Sequence, residues 1–426
     1  MNTNNGNCNN NNKNNINTNN RVRAFRAYDV KYRIPLEDFF DAYFECRKHK
    51  RNTVNAAAFE VDYINNLTEL WEEVNEYRYE IGKSICFIVK YPKLREVFAA
   101  DFRDRIIHHL LISKLEPLFE NEFIVDSYSC RKGKGTLYGV TKLYDKINKF
   151  TNNYEKDCYV GKFDLKSFFM SIHKKTLWLK LEGFIKEKYK GDDINLVLWL
   201  CEKIVMHCPQ YNCIRKGDVM LWNKLGPEKS LFTCGDEYGL PIGNLTSQIF
   251  ANFYLNSFDH EMIRLFGENY GRYVDDFYVI AKTKEEITSA VPFMKRYLQE
   301  TLKLKINTDK TYIQPYWMGI KFIGSVVKKD RIYIGNSTRG NMSRKINKFN
   351  NEPQKMLIVD EFISTMNSYL GFLKHCNSYN IKYEELMRHI SPEWWRYVYA
   401  TNHLDSFVIR KTVKDARDNS VFKEQD

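Results

Sequence analysis

Apolar and polar positions follow two different periods along this chain, and the switches between them mark its elements. In LEDFFDAYFECRKHK the apolar side chains fall at Phe39, Phe40, Tyr43 and Phe44, the spacing of one helical face, so a helix opens the folded part. SICFIVKY, residues 84–91, is short and rich in strand formers and predicts a strand. RDRIIHHLLISKLEPLF, residues 103–119, puts Ile106, Leu110, Leu111 and Leu115 on one side of a second helix. YVGKFDLKSFFMSI predicts a strand that bends at Asp164, followed by one long helical stretch from Lys174 to Met206.

Residues 207–239 keep neither period and predict an irregular insertion rich in Gly, Lys and Cys. GLPIGNLTSQIFANFYLNSFDHEM begins as a Gly/Pro loop and becomes a helix whose Ile249, Phe250, Phe253, Tyr254 and Leu255 face a core. GRYVDDFYVI predicts a hairpin, and a helix follows from Lys284 to Leu302. Strand-like segments come next at LKINT, YWMGIKFIGSVV and RIYIG, and the remaining C-terminal residues are expected to be largely helical. No internal repeat is visible. Helices mixed with antiparallel hairpins predict an α+β class, not a doubly wound parallel sheet.

Composition narrows this picture. The 426 residues and 50.8 kDa allow about two or three domains of ~150 residues. Residues 1–20 are mostly Asn, with Ile16 as the one large apolar side chain, so a tail extending to about residue 24 cannot offset its ordering entropy by burial and is expected to be disordered. Sixty-five Lys and Arg against 53 acids give +12, and aromatics reach 15%. Cations for phosphates and flat rings for bases suit a nucleic-acid partner. No apolar run of about 18 residues appears and the N-terminus is polar, so a cytoplasmic protein is expected, with its ten scattered Cys reduced. Cys201, His207, Cys208, Cys213 and Cys234 cluster in sequence but follow no zinc spacing.

The pair Asp275–Asp276 interrupts an otherwise apolar strand pattern, where acids are rare without a partner. A tight turn is one reason for it. Chemistry is another: phosphoryl transfer to a 3′-hydroxyl can use two divalent cations roughly 3.5–4 Å apart, held by carboxylates from separate elements. Asp164, at a strand end 111 residues before Asp275, can supply the third acid. In a straight strand Asp275 and Asp276 would face opposite ways, so a turn is needed to bring both to Asp164.

FDLKSFF, GLPIGNLTSQ, YVDD, LKINTDKT and WMGIKFIG, in this order, resemble the palm motifs of reverse transcriptases, over roughly residues 85–380. The resemblance implies a right-hand polymerase fold: fingers and palm over residues 25–330, built of antiparallel sheet and helices, and a mostly helical thumb over 331–426 entered past Arg344, Lys345, Lys348 and Lys355. It implies RNA-directed DNA synthesis with two Mg2+ ions, or Mn2+ in their place, on Asp164 and Asp275 with Asp276 assisting. Phe169 would close against the ribose 2′ position, and Arg95, in REVFAADFRDRI, would grip the incoming triphosphate. Lys310 would protonate departing pyrophosphate, and Ile242, Gly243 and Tyr273 complete the set facing the substrate. For Phe169 core packing, and for Arg95 and Lys310 plain solvent exposure, are the competing explanations. Trp394 and Trp395 are expected in the core or at a helix start.

Where many reverse transcriptases carry Gln-Gly before the motif-B helix, this chain has Ile242-Gly243. GLPIGNLTSQ, with WNKLGPEKSLF and SYLGFLKHCNS, is similar to the enzymes of diversity-generating retroelements. That resemblance implies error-prone copying of a template RNA opposite adenine, cDNA that replaces a variable region of a target gene, a small basic accessory protein as partner, and a bacterial or phage source. A defence-associated bacterial reverse transcriptase with the same palm is the alternative.

Overall fold

The computed structural model describes residues 33–48, 53–90 and 93–415. The Asn-rich tail, residues 1–24, lies outside them. Two compact units divide the chain: the first runs up to Phe123 and again from Ser167 to Asn256, and the second takes Ile124–Lys166 and the chain from Ser257 onward.

Three helices, α1 (Leu36–Arg47), α2 (Val54–Glu60) and α3 (Tyr63–Asn75), lead into strands β1 (Ser84–Val89) and β2 (Arg95–Ala99) and helix α4 (Phe102–Glu122). In α1 the buried stripe is Phe39, Ala42, Tyr43 and Cys46, so the face is rotated from the expected one and Phe44 is 45% exposed. Asp101 caps α4, its carboxylate accepting the Arg103 N–H at 3.1 Å. Ile106, Leu110, Leu111 and Leu115 are buried as the period predicts.

Helix α5 (Thr136–Phe150) and strand β3 (Tyr159–Asp164) belong to the second unit, and the chain then returns to the first through the short α6 (Phe168–Ser171). The long helix expected from Lys174 to Met206 is two helices, α7 (Lys174–Lys188) and α8 (Ile194–Met206). The Gly191-Asp192-Asp193 stretch breaks it, and the Tyr189 hydroxyl donates to Asp193 at 2.7 Å across the bend. The insertion forms short 3-10 turns and strand β4 (Cys213–Arg215), which pairs parallel to β1 in a sheet ordered β2-β1-β4.

Helix α9 (Leu245–Phe266) buries the five apolar residues expected to face a core. After it come β5 (Tyr270–Tyr273), β6 (Asp276–Ala281), α10 (Lys284–Leu302) and β7 (Tyr312–Pro315). Strands β5, β6, β3 and β7 make an antiparallel four-stranded sheet in that order. Val140, Leu143 and Ile147 of α5 pack in one cluster with Val160, Tyr278 and Ile280 of the sheet. A Cβ at Gly161 would stand 2.8 Å from Ile287 of α10, so the glycine admits that helix. LKINT is no strand: Ile306 makes a single bridge to Leu165, and Thr308–Lys310 is a 3-10 turn.

Strands β8 (Ile320–Phe322), β9 (Ser325–Lys328) and β10 (Arg331–Ile334) form an antiparallel meander. Beyond it α11 (Asn336–Asn350) and α12 (Val359–Leu373) enclose a core centred on Trp394, which is fully buried and stacked on Phe362 at 4.0 Å. The C-terminal part is less purely helical than expected, since a hairpin, Val398–Ala400 with Phe407–Ile409, closes this core. Among the described residues no helix is long and apolar enough to cross a membrane.

Candidate active site

Strand register decides where the acids meet. β3 and β6 pair with Phe163 opposite Phe277 and Asp164 opposite Asp276, the two Phe rings stacked at 5.1 Å. Tyr273 opposite Asp276 closes the β5–β6 hairpin, leaving Val274 and Asp275 as its two turn residues. Val274 has φ +56°, and the Leu165 N–H donates to the Asp275 carbonyl at 3.1 Å. Asp275 thus lies in the turn, outside the strict strand alternation that would have parted the two acids.

Three carboxylates here face two ammonium groups. Lys310 Nζ lies 2.7 Å from Asp164 Oδ1, which also accepts the Asn307 side-chain N–H at 3.1 Å. Lys162 Nζ lies 2.5 Å from Asp276 Oδ1. Burial first, then Asp276 and Asp164, push the Asp275 carboxyl up to about 6. Burial also raises the Asp276 carboxyl, against the pull of Lys162. Among the described residues no three His, Cys, Asp or Glu side chains close into a metal cage. Asp164 and Asp276 are instead engaged by their lysines. Neighbouring carboxylates, Asp164 buried and Asp275 and Asp276 half-buried, whose charge two lysines incompletely balance are nevertheless donors suited to a hard divalent cation. The Tyr273 hydroxyl, next to the turn, lies 3.3 Å from Thr136 Oγ1.

The first unit carries the other candidates. Arg95 starts β2 and is exposed. Phe169 and Ile242 are both partly buried against one apolar cluster of Cys86, Phe98, Met170 and Leu231. Core packing is therefore part of what Phe169 does. The motif-B loop is laced to its neighbours: Phe98 N–H donates to the Ile242 carbonyl at 2.8 Å, and Leu240 N–H to the Phe169 carbonyl at 2.9 Å. Gly243 has φ +122° and a Cβ there would meet Val97 Cγ1 at 2.8 Å, so only glycine lets the loop lie against β2.

Several supporting residues were not legible in the sequence. Asn244 Oδ1 accepts the Ala100 N–H at 3.2 Å, and Thr246 Oγ1 lies 2.5 Å from His108 Nδ1. Burial pulls the His108 imidazole down to about 3, so it is neutral. Glu96, fully buried, accepts from Trp222 Nε1–H at 2.8 Å, the Ser230 hydroxyl at 2.7 Å and the Leu231 N–H at 2.7 Å, pinning the insertion to β2. The Arg215 guanidinium lies over the Phe232 ring at 3.8 Å. A charge standing inside an apolar strand pattern, as in REVFA and VGKFD, was the available signal for Glu96 and Lys162. Within the Cys-rich insertion, Cys208 Sγ sits 3.1 Å from Lys174 Nζ.

Comparison with known proteins identifies the family. Residues 90–327, more than half of the chain, match the family described as reverse transcriptase (RNA-dependent DNA polymerase), and the chain belongs to that family. Protein YkfC of Escherichia coli (strain K12) is 24% identical over 276 residues, covering 57% of this chain; the match spans 65% of YkfC's own length. Among solved structures, apo telomerase from Candida tropicalis aligns at TM-score 0.46 and 11% identity, over 72% of this chain and 58% of that one. Telomerase from Candida albicans, solved with a fragment of telomeric RNA, aligns at 0.42 and 12%, over 78% and 60%.

Proposed function

We propose that this member of the reverse transcriptase family is an RNA-directed DNA polymerase that copies a template RNA into cDNA. The observation that carries the reading is the register that sets Asp164 opposite Asp276, with Asp275 in the adjoining turn and its carboxyl raised by burial and by both of those acids. Asp164 and Asp275 would hold two Mg2+ ions, with Mn2+ as substitute and Asp276 as the looser ligand. Such ions, when bound, supply charge stabilisation for the attacking 3′-hydroxyl oxygen and the leaving pyrophosphate. The assignment of Asp276 as the looser ligand is supported by its lysine: Lys162, which holds its Oδ1, is nearly buried, whereas the Lys310 that meets Asp164 is half exposed and can leave.

The chain's own side chains do the rest. Arg95, exposed at the start of β2, grips the triphosphate of the dNTP through its planar fork of N–H donors. Phe169, fixed by its carbonyl to the motif-B loop, closes against the ribose 2′ position and favours DNA precursors. Lys310 Nζ, which is half exposed, swings from Asp164 to give a proton to departing pyrophosphate. Gly243 lets the motif-B loop lie against β2, and Tyr273 stands beside the acid-bearing turn; each is assigned to the substrate-facing set. The segment from residue 331 onward acts as the thumb and residues 25–330 as fingers and palm, a division supported by the separate apolar core around Trp394.

The finer assignment is to a diversity-generating retroelement, with a small basic accessory protein as partner and a cytoplasmic bacterial or phage setting. It is supported by the motif-B loop, where Ile242 puts an alkyl group in place of an amide and removes one hydrogen bond near the nascent pair. Copying a mixed-sequence RNA with the purified protein, Mg2+ and four dNTPs, then sequencing the cDNA, tests both levels. Errors concentrated opposite template adenine and reduced by Ile242→Gln support the retroelement reading. Faithful cDNA, or errors spread evenly, moves the assignment to a defence-type enzyme, and no cDNA at all removes the polymerase reading.

A further inference from the structure

We infer that the buried Arg272–Asp259 pair is the positioning device of the acid-bearing turn, acting through the carbonyl of Val274. The inference rests on the polymerase reading above, because it concerns how Asp275 is aimed. Both side chains are fully buried. Arg272 Nε donates to Asp259 Oδ1 at 2.7 Å and Nη2 to Oδ2 at 2.5 Å, a two-point clamp that fixes the guanidinium plane. The Tyr270 hydroxyl donates to the same Asp259 Oδ1 at 2.6 Å, and the Arg272 backbone is held on both sides, by the Asp126 carbonyl and the Tyr128 N–H, each at 2.9 Å. The guanidinium has no freedom left.

Its remaining nitrogen, Nη1, donates to the Val274 carbonyl at 2.9 Å. That carbonyl belongs to the peptide plane leading directly into Asp275. Val274 carries a β-branched side chain at φ +56°, a region such residues avoid and keep only where their surroundings over-determine it. The clamp supplies that determination. A buried ion pair is a poor way to gain stability, since apolar residues of like size do as well, so its use here is explained by orientation. Lysine could not replace Arg272, because a single ammonium cannot satisfy both Asp259 oxygens and the carbonyl in one plane. Neither residue touches a reacting atom; both are positioning residues for Asp275.

A double-mutant cycle between Arg272 and Val274 tests this, because glycine at 274 accepts the positive φ without help. In the wild-type background Arg272→Gln is expected to lower kcat on the order of 100-fold, the scale of a misplaced reacting group. The dNTP KM stays unchanged, and Mn2+ binding followed by electron paramagnetic resonance weakens about tenfold. Arg272→Lys should fall between the two. In the V274G background the same Arg272→Gln change should cost less than a tenth as much in kcat and in Mn2+ affinity. Should Arg272→Gln alone fail to fold, Arg272→Met with Asp259→Leu removes both charges and enters the same cycle. Equal losses in the two backgrounds, in a chain whose wild type extends primers, overturn the clamp while leaving the polymerase reading intact. A wild type that neither extends primers nor binds Mn2+ removes the polymerase reading and the clamp with it.

Discussion

Lys162 Nζ lies 2.5 Å from Asp276 Oδ1, joining adjacent strands of the palm sheet, and the lysine is nearly buried at 10% side-chain exposure. A lysine so placed is an internal counter-ion. It occupies a carboxylate that a divalent cation would otherwise draw, and without it Asp276 would face Asp164 and Asp275 uncompensated. Lys162→Met is therefore expected to cost about 2 kcal/mol in EDTA, less than a fully buried broken pair because Asp276 retains some solvent. Mg2+ should restore most of that loss, and Mn2+ should bind the variant more tightly than the wild type. Thermal unfolding with and without Mg2+ measures the first, and Mn2+ titration the second; equal Mg2+ responses in both proteins would exclude the counter-ion role.

Asp275→Asn should abolish cDNA synthesis while RNA binding, measured by filter retention, persists. Its stability effect has the opposite sign. A carboxyl pushed up to about 6 by burial and by Asp276 and Asp164 holds its proton more tightly in the folded chain. That contribution is complete below the unfolded value near 4 and is lost as pH rises through about 6. At pH 7 in EDTA the Asn variant should thus be more stable than wild type by about 1–3 kcal/mol, with the gap closing below about pH 4. Urea midpoints across that range check it.

His108 makes the complementary case. Its imidazole, pulled down to about 3 chiefly by burial beside Thr246, must lose its proton to fold. The stability it contributes is present above the unfolded pKa near 6.5 and is lost as pH falls from there toward 3. Asp104, raised to about 6 first by burial, works in the other direction over part of this range. The comparison must therefore be between wild type and His108→Gln. Between pH 7 and 5.5 the wild type should lose about 1 kcal/mol more than the variant; parallel denaturation curves would show that the histidine does not titrate with folding.

Glu96→Gln should loosen the insertion without unfolding the chain. An amide keeps one acceptor oxygen but turns an NH2 toward the Trp222 and Ser230 donors that now meet the carboxylate. Hydrogen exchange of residues 207–239 should speed up, with a stability loss of about 2 kcal/mol. Since Arg95 precedes Glu96 on β2, the dNTP KM should rise several-fold with kcat nearly unchanged. Unaltered exchange in the insertion would show that Glu96 does not hold it.

Much of this molecule follows from local pattern alone. The helix Lys284–Leu302, the buried face of the helix after GLPIGN and the hairpin at YVDD were all legible, because each depends on periods of 3.6 or 2 within one segment. The acids themselves stood out as charges breaking an apolar run. Segments of weak or mixed period did not declare themselves: LKINT became a bridge and a turn, the Lys174–Met206 stretch broke at Gly191, and α1 turned Phe44 outward. Only the tertiary structure decided which charges meet. The pairing of Asp164 with Asp276 joins residues more than a hundred apart, and Lys162, Arg272, Asp259 and Glu96 are buried because partners from other elements satisfy them there. A sequence shows that a charge lies in an apolar stretch; its counter-charge becomes identifiable only when register and packing bring the two within hydrogen-bond reach.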